Sequence, residues 1–289
     1  MENLTERILL VGAAGQLGRE LAAVFADTRV FAPPRADLDV EVESAVANAL
    51  RAVRPTLVVN TAAYHHVERC EAYPERAFAV NAMAVDRLAC ACTLVGAAFA
   101  TFSTDYVFDG TATRPYREDD ATGPLCAYGA SKLAGEHLTR RHGERHFIVR
   151  TSGLYGRAPS SVKGYTFVDR ILAQAEANER IRVVDDITFS PSYARDVARG
   201  FRRIVERAGF GTYHLTNGGA TTWHGFATTA IALRGLNPTD FQPVSQADFP
   251  STVRRPPYSA LEGAALVTAG IEPMPPWEDG LRDYIAARP

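Results

Sequence analysis

The chain has 289 residues, of which 46% are hydrophobic and 22% charged, and its formal net charge at pH 7 is −2. This composition is typical of a globular protein with a substantial core. The near-zero charge argues against nucleic acid or a membrane surface as the partner. No signal-peptide layout precedes the first apolar segment, and we expect no apolar run to be long enough to cross a bilayer, so we expect a cytoplasmic protein.

The first predicted strand leads into a glycine-rich turn and a helix. Residues 8–11 (ILLV) form a short apolar run, and Gly12, Gly15 and Gly18 follow at G-x-x-G-x-x-G spacing before a helical pattern over residues 19–25. Glycines at such a turn let a pyrophosphate approach the N–H groups at the helix N-terminus. The alternative is an ordinary glycine-rich turn, but its setting favours a dinucleotide site.

The next predicted strand, residues 30–32, ends close to a basic side chain. Arg35 follows it with no acidic residue at the tip of the strand. An acid there would bind the ribose 2′-OH of NAD, whereas an arginine can accept the 2′-phosphate of NADP. Arg35 therefore favours NADP(H) slightly, with a solvated loop residue as the alternative. Asp39 either caps the helix that follows or approaches the adenine.

Two further predicted strands deliver polar or small residues to the ligand-binding edge of a parallel sheet. Residues 57–60 open into Thr-Ala-Ala-Tyr, where Ala62 leaves room for a cofactor, and residues 98–102 lead to Ser103 and Thr104. Asn81 lies within a helical pattern over residues 67–92; it is either a surface residue or an amide that bonds a backbone carbonyl. The repeated strand–helix units predict an α/β fold with a doubly wound parallel sheet.

The second half of the chain is more mixed. We expect residues 1–156 to form the NAD(P)-binding domain, with elements returning to it from about residues 181–217. Residues 157–180 and 218–289 would then form a small substrate-binding lobe. The four cysteines include no C-x-x-C pair, and the adjacent histidines at 65 and 66 have no partner cluster, so we predict free thiols and no metal site.

Tyr128 and Lys132 are the main candidates for catalysis. At i and i+4 they share one face of a predicted helix over residues 128–141. A neighbouring ammonium favours the phenolate, so Lys132 is expected to lower the pKa of Tyr128 towards the working pH and enable proton transfer. Thr104 would add a hydrogen bond to the same substrate oxygen, and Asp105 would tune the site. The Y-x-x-x-K spacing alone is weak evidence; combined with the glycine motif and Thr104 it becomes strong.

The sequence resembles the extended short-chain dehydrogenases/reductases over nearly its whole length, specifically the branch that acts on nucleotide-linked 4-keto sugars. The resemblance is carried by GAAGQLG (12–18), STDYVFDG (103–110), PYRED (115–119), YGASKLAGE (128–136), RTSGLYG (150–156) and TTWHGFA (221–227). It implies a Rossmann-like fold and NAD(P)H-dependent reduction of the C4 keto group of a 6-deoxy sugar, with dTDP-4-dehydro-L-rhamnose converted to dTDP-L-rhamnose for polysaccharide biosynthesis.

The resemblance also implies residue roles, with Tyr128 as the proton donor, Lys132 orienting Tyr128 and the cofactor, and Thr104 assisting at the oxyanion. Together with the residues above, the expected cofactor-binding set is Gly12, Gly15, Gln16, Leu17, Gly18, Arg35, Asp39, Val40, Ala62, Ala63, Tyr64, Asn81, Ser103, Tyr128 and Lys132. The expected substrate-binding set is Thr104, Asp105, Tyr106, Gly153, Trp223 and Arg255. For Trp223 and Arg255 the alternatives are a buried core residue and a solvated cation. The resemblance also implies a possible homodimer. The family sometimes uses Mg²⁺ at the dimer interface, but no cluster of residues in this sequence supports a metal.

Two departures from the family pattern concern the sugar. Gly153 stands where the family often has Trp, which is expected to remove an aromatic wall from the pocket, and residues 186–192 (DITFSPS) differ from the usual D-Q-x-G-x-P-T. Another nucleotide sugar thus remains an alternative substrate, and epimerisation an alternative reaction. Dehydration is disfavoured because Tyr106 follows Asp105 where dehydratases carry an acid pair. A non-catalytic, NADP-binding regulatory subunit like that of methionine adenosyltransferase is the third alternative.

Overall fold

The computed structural model describes residues 3–157, 164–249 and 251–288. Strands and helices alternate through the first half, as the sequence predicts. In chain order they are β1 (Arg7–Val11), α1 (Gln16–Val24), β2 (Arg29–Phe31), α2 (Glu43–Val53), β3 (Leu57–Asn60), α3 (Val67–Ala72), α4 (Pro74–Phe78), a π-helical turn (Ala79–Met83), α5 (Ala84–Val95), β4 (Ala98–Thr104), a 3₁₀ turn (Asp105–Val107), α6 (Ala127–Arg140) and β5 (His146–Thr151).

The second half combines helices with short strands. The elements are β6 (Leu154–Tyr155), α7 (Phe167–Glu176), β7 (Ile181–Val184), β8 (Thr188–Phe189), β9 (Ser192–Tyr193), α8 (Ala194–Arg207), β10 (Gly211–His214), β11 (Thr221–Thr222), α9 (Trp223–Leu233), β12 (Phe241–Val244), a 3₁₀ turn (Gln246–Asp248), α10 (Ala264–Thr268) and α11 (Trp277–Ala286).

Six parallel strands form the central sheet in the order β10-β5-β4-β3-β1-β2. Every residue of β3 and β4 is buried, which explains the apolar runs Leu57–Val59 and Ala98–Ala100 with which the two strands begin. The chain runs from β1 outward to β2, then crosses back to β3 on the other side of β1. Ligands of doubly wound sheets bind beside such a reversal, at the carboxyl ends of the strands. The predicted fold class is confirmed, and its ligand edge lies where β1 and β3 end.

Helices cover both faces of this sheet. On one face α1 packs against α8, with Leu21 and Phe201 in the core. On the other face α2 packs against α5, with Leu50 and Leu88 in the core. The two layers bury both sides of the strands and fix the loops that follow them.

A third core lies outside the sheet, among α7, α9 and α11. It is largely aromatic and includes Tyr155, Phe226 and Tyr284. Short strand pairs accompany it: β7 with β12, β8 with β11 and β6 with β9. Strand β10 returns to the main sheet, whereas β7 pairs with β12 instead.

One helical stretch departs from the sequence expectation about membranes. Within the described residues, Pro74–Val95 is 22 residues long with a mean hydropathy of 1.5, so by length and composition it could span a bilayer. The expectation that no apolar run is long enough is therefore wrong. In the structure this stretch packs against α6 and α2 and contributes Val85 and Leu88 to the core, as a core helix of a folded domain does.

Candidate active site

The glycine-rich turn after β1 leaves an uncapped helix N-terminus facing open space. Gly12 has a φ of +80°, and a Cβ at Gly18 would lie 2.3 Å from the carbonyl oxygen of Gly12, so neither position has room for a side chain. Gly15 precedes α1 without a side-chain cap, and no acidic residue lies in the first turn. The N–H groups and positive end of the helix dipole are therefore available to an anion such as a pyrophosphate.

The loop after β3 forms the opposite side of this space and is held by Asn81. The Asn81 side chain is 1% exposed; its Oδ1 accepts the Tyr64 N–H at 2.8 Å, and its Nδ2 donates to the Tyr64 carbonyl at 2.9 Å. The same Nδ2 donates to Ser131 Oγ at 3.0 Å, which ties the loop to α6. Of the two interpretations of Asn81 from sequence, the structure supports the amide that bonds a backbone carbonyl. It lies in a π-helical turn, a feature frequent at functional sites.

At the end of β4, Asp105 gathers three hydroxyl groups. Thr104 Oγ1 donates to Asp105 Oδ1 at 3.0 Å, while Ser152 Oγ and Ser259 Oγ donate to Oδ2 at 2.8 and 2.6 Å. Burial raises the pKa of Asp105, and the hydrogen bonds from Ser259, Ser152 and Thr104 oppose that shift. The two serines were missed in the sequence because they lie about 47 and 154 positions from Asp105 and form no motif with it.

Tyr128 and Lys132 lie on α6 beside Thr104, as their spacing predicts. Burial raises the pKa of the Tyr128 phenol, the charge of Asp105 raises it further, and a hydrogen bond with Thr104 lowers it. The expectation of a lowered pKa for Tyr128 is wrong, because burial and the charge of Asp105 raise it. Burial also lowers the pKa of Lys132 to about 8. Tyr128 is therefore a neutral phenol, the form that can donate a proton.

Behind Lys132 lies a buried ion pair that sequence reasoning did not identify. Arg150 Nε and Nη2 donate to Glu136 at 2.9 and 2.8 Å, and Arg140 Nη2 donates to the same carboxylate at 3.0 Å. Burial favours the neutral acid, but the hydrogen bonds and charge of Arg150 prevail and lower the pKa of Glu136. The pair joins α6 to β5, and its only sequence signal was the charge at the end of YGASKLAGE.

At the other end of the site, Gly153 is covered by an aromatic ring. Gly153 has a φ of +49°, and a Cβ there would lie 2.2 Å from Phe189 Cε2. Phe189 stacks on Trp223 with ring centroids 3.9 Å apart and planes at 15°. The expectation that Gly153 removes an aromatic wall is wrong, because the ring of Phe189 fills that space. The sequence signal was present in DITFSPS, where Phe189 lies, but its position relative to Gly153 was not predictable.

Trp223 and Arg255 both face this region. Trp223 is partly exposed and contacts Phe167 edge-on at 4.8 Å. Arg255 forms an ion pair with Glu68 and donates from Nη1 to Ser251 Oγ at 3.0 Å. Arg255 is thus a partnered cation at the edge of the site.

One cleft of about 650 Å³ joins these features, and we call it the cleft from here on. Among its lining residues are the predicted Gly12, Gly15, Gln16, Leu17, Gly18, Ala62, Ala63, Ser103, Thr104, Asp105, Tyr106, Tyr128, Lys132, Gly153, Trp223 and Arg255. Five predicted residues do not line it: Arg35, Asp39, Val40, Tyr64 and Asn81. Tyr64 and Asn81 lie behind it, through the hydrogen bonds described above.

The remaining three lie around the end of β2 and beyond it. The Arg35 side chain is 75% exposed and lies 3.4 Å from Asp39 and 3.5 Å from Glu41. Val40 is buried in the core beneath α2 and α5. Asp39 accepts the Glu41 N–H, which lowers its pKa.

No cysteine lines the cleft among the described residues. Cys70, Cys90, Cys92 and Cys126 are all free thiols. Among residues 3–157, 164–249 and 251–288, no group of three or more His, Cys, Asp or Glu side chains is placed to hold a metal ion.

Comparison with known proteins identifies relatives along the whole chain. Residues 6–288 match the family model described as the RmlD substrate binding domain. The chain is 35% identical over 284 residues to the spore coat polysaccharide biosynthesis protein SpsK of Bacillus subtilis, covering 98% of each chain. It is 37% identical to the dTDP-4-dehydrorhamnose reductase of Streptomyces griseus, covering 97% of this chain and 93% of the relative. A crystal structure of dTDP-4-dehydrorhamnose reductase from Bacillus anthracis in complex with NADP superimposes with a TM-score of 0.92, at 32% identity, over 98% of this chain and 100% of that one.

Proposed function

The chain belongs to the RmlD substrate-binding-domain family, and we propose that it reduces the C4 keto group of dTDP-4-dehydro-L-rhamnose with NADPH, yielding dTDP-L-rhamnose. The observation that carries the proposal is a neutral Tyr128, hydrogen-bonded to Thr104, in one cleft with an uncapped, glycine-lined helix N-terminus. The cleft thus combines a proton donor with an anion-binding turn. Two of the similar proteins named above, from Streptomyces griseus and Bacillus anthracis, are dTDP-4-dehydrorhamnose reductases.

The cleft fits a dinucleotide without rearrangement of its backbone. At Gly15 a Cβ would project to 3.4 Å from the Gly12 carbonyl oxygen, so the missing side chain leaves space above the N-terminus of α1. We assign the pyrophosphate to residues 15–17 and a nicotinamide-ribose hydroxyl to Lys132. NADPH supplies a hydride when bound. The small residues Ala62 and Ala63, held through Asn81, allow the cofactor to lie across the end of β3.

Proton transfer is assigned to Tyr128. As the carbonyl carbon accepts a hydride, negative charge develops on the oxygen, and the phenol O–H donates its proton to it. Thr104 donates a second hydrogen bond to the same oxygen and so stabilises that charge. Asp105 accepts the hydrogen bond of the Thr104 hydroxyl, and that hydroxyl turns to the substrate oxygen when the carbonyl binds. Lys132, charged below about pH 8, favours the phenolate left behind.

The nucleotide is assigned to the far side of the cleft. Trp223 would stack on the nucleotide base. The Arg255 guanidinium would bind the diphosphate and give up its ion pair with Glu68. We further propose the division expected from sequence: residues 1–156 with elements returning from 181–217 bind the cofactor, while 157–180 and 218–289 bind the nucleotide sugar. Residues 158–163 of that division lie outside the described residues.

Two finer assignments accompany the reaction. We propose a cytoplasmic enzyme that acts on soluble nucleotide sugars. We also propose a homodimer, because Tyr73, Phe78 and Met83 expose 57%, 38% and 54% of their surfaces along one helical stretch. Light scattering behind size exclusion checks the dimer: Met83→Glu should yield monomers, and an unchanged mass would exclude this surface.

The function is tested by following reduced-nicotinamide absorbance with dTDP-4-dehydro-L-rhamnose, using NADPH and NADH in parallel. Stoichiometric oxidation is the expected result, with NADPH preferred. Sugar conversion without net oxidation of the cofactor would indicate an epimerase. Binding of NADPH with no conversion of any 4-keto nucleotide sugar would indicate a regulatory protein on this scaffold.

A further inference from the structure

Phe189 and Gly153 form a reciprocal pair across the cleft wall. The Phe189 atoms Cε2 and Cδ2 lie 2.2 and 2.4 Å from where a Cβ on Gly153 would be. Separations under 3 Å are not tolerated between carbon atoms, so a side chain at 153 and this ring position exclude each other. The ring of Phe189 thus takes the place that a side chain on residue 153 would occupy.

The ring is locked in that place by its neighbours. Phe189 is 2% exposed, stacks on Trp223 and meets Phe226 edge-on at 5.9 Å. Strand β8 pairs with β11 so that Phe189 lies opposite Thr221, two residues before Trp223. The backbone pairing therefore fixes the two stacked rings relative to each other, and the wall is preformed.

The position of the wall assigns it to the sugar. Gly153 directly follows Ser152, whose hydroxyl donates to Asp105 in the catalytic corner. A group bound against Phe189 is therefore close to the reacting carbonyl. Among the cleft residues around it, Phe189, Phe167 and Ile187 carry no side-chain hydrogen-bonding group. A methyl substituent is favoured against such a wall, whereas a hydroxyl would lose its water without gaining a partner there.

We propose that Phe189, resting over Gly153 and stacked on Trp223, is a specificity-determining residue that selects a 6-deoxy sugar over its 6-hydroxy counterpart. The inference rests on the proposed function, since it concerns which nucleotide-linked 4-keto sugar enters the same cleft. It assigns to the ring of Phe189 the part of the cleft that borders the reacting carbonyl.

Phe189→Leu tests the proposal. Discrimination is measured as the ratio of kcat/KM for a dTDP-4-keto-6-deoxy sugar to that for its 6-hydroxy counterpart. We expect this ratio to fall about tenfold or more, as for contacts with a methyl-sized group. Affinity for dTDP-L-rhamnose, measured by calorimetry, should fall while affinity for dTDP alone stays within about twofold, because dTDP lacks the rhamnosyl group. Phe241→Leu is the control, because it alters a ring that stacks on His224 outside the cleft. It should change neither the kcat/KM ratio nor the affinity for dTDP-L-rhamnose.

The outcomes separate this inference from the function on which it rests. A wild-type protein that neither binds dTDP-L-rhamnose nor oxidises NADPH contradicts the proposed function itself. An active wild-type protein whose discrimination is unchanged by Phe189→Leu, or whose affinity for dTDP falls as much as that for dTDP-L-rhamnose, overturns the role of Phe189 alone.

A double-mutant cycle tests the reciprocal pair without activity. Gly153→Ala should lower Tm more than Gly235→Ala, because Gly235 has a φ of +71° but nothing within 4 Å of its Cβ position and so reports backbone strain alone. In a Phe189→Leu background the loss from Gly153→Ala should shrink, because the smaller side chain can withdraw. Equal losses in both backgrounds would overturn the pairing of residues 153 and 189.

Discussion

The two ends of the cleft are built in different ways. The cofactor end consists of two short turns, each a local feature of the chain: glycines at 12, 15 and 18 expose backbone N–H groups, and alanines at 62 and 63 follow β3. The sugar end is built from side chains that come from distant segments, as Ser152, Phe189, Trp223 and Ser259 do. In a site built from backbone N–H groups, a residue can be substituted only if the new side chain has room. In a site built from side chains, one contacting residue can be replaced by another. The first end is therefore suited to a constant cofactor and the second to a variable sugar.

Tyr128 stands where the two ends meet, and its removal should have the largest effect. Tyr128→Phe deletes the proton donor and keeps the ring, so kcat should fall by roughly two to four orders of magnitude. Affinity for NADPH and dTDP should stay near wild type, since neither end of the cleft is altered. Tyr155→Phe is the matched control, because its buried hydroxyl has no hydrogen-bond partner and lies outside the cleft. Near wild-type turnover of Tyr128→Phe would show that another group donates the proton.

Gly18→Ala tests whether the cofactor end depends on backbone approach. The added Cβ would lie 2.3 Å from the Gly12 carbonyl oxygen and 2.7 Å from Ala13 Cα, so the turn must shift. We expect a cost of roughly 1–3 kcal/mol, as for an overpacked core, read as weaker NADPH binding or a lower Tm. Gly209→Ala is the control for replacing glycine by alanine without a steric clash, because nothing lies within 4 Å of its Cβ position. Equal behaviour of the two variants would contradict the close packing of this turn.

The charge of Lys132 predicts how activity depends on pH. Burial lowers the pKa of Lys132 to about 8, below its unfolded value of roughly 10.4. If the charged form is required, kcat/KM should fall about tenfold per unit above that pKa. Stability should move the opposite way. Between about pH 8 and 10.4 Lys132 binds more protons in the unfolded chain than in the folded one, so the contribution of Lys132 to the free energy of unfolding rises with pH. Lys132→Arg stays charged throughout this range and should remove the alkaline decline; a decline that persists would assign it to another group.

The smallest effect is expected at Arg35, which is exposed. Arg35→Ala should raise KM for NADPH about two- to fivefold and leave KM for NADH unchanged, as loss of one solvent-screened charge pair does. Arg54→Ala, at the other end of α2, is the control and should change neither value. Equal changes for both cofactors would exclude a 2′-phosphate contact at Arg35.

The sequence was informative where function depends on short spacing and failed where it depends on distance. The glycine turn, the strands β3 and β4 and the pair on α6 were predicted because each is a local pattern with a physical meaning. The ring over Gly153 was not, because its position follows from how β8 approaches the loop after β5. The pKa of Tyr128 was predicted in the wrong direction because burial, which the sequence does not report, and the charge of Asp105 both raise it. Asp105 was identified, but its serine partners were not.

The central claim is that hydride and proton reach one carbonyl in this cleft, and isotope transfer tests it most directly. The enzyme is mixed with dTDP-4-dehydro-L-rhamnose and NADPH that carries deuterium at both C4 positions of the nicotinamide, and the product is examined by NMR. We predict a reduced sugar with one deuterium at its C4 for each cofactor molecule oxidised. A reduced sugar without deuterium at C4 would contradict the hydride transfer proposed for this cleft.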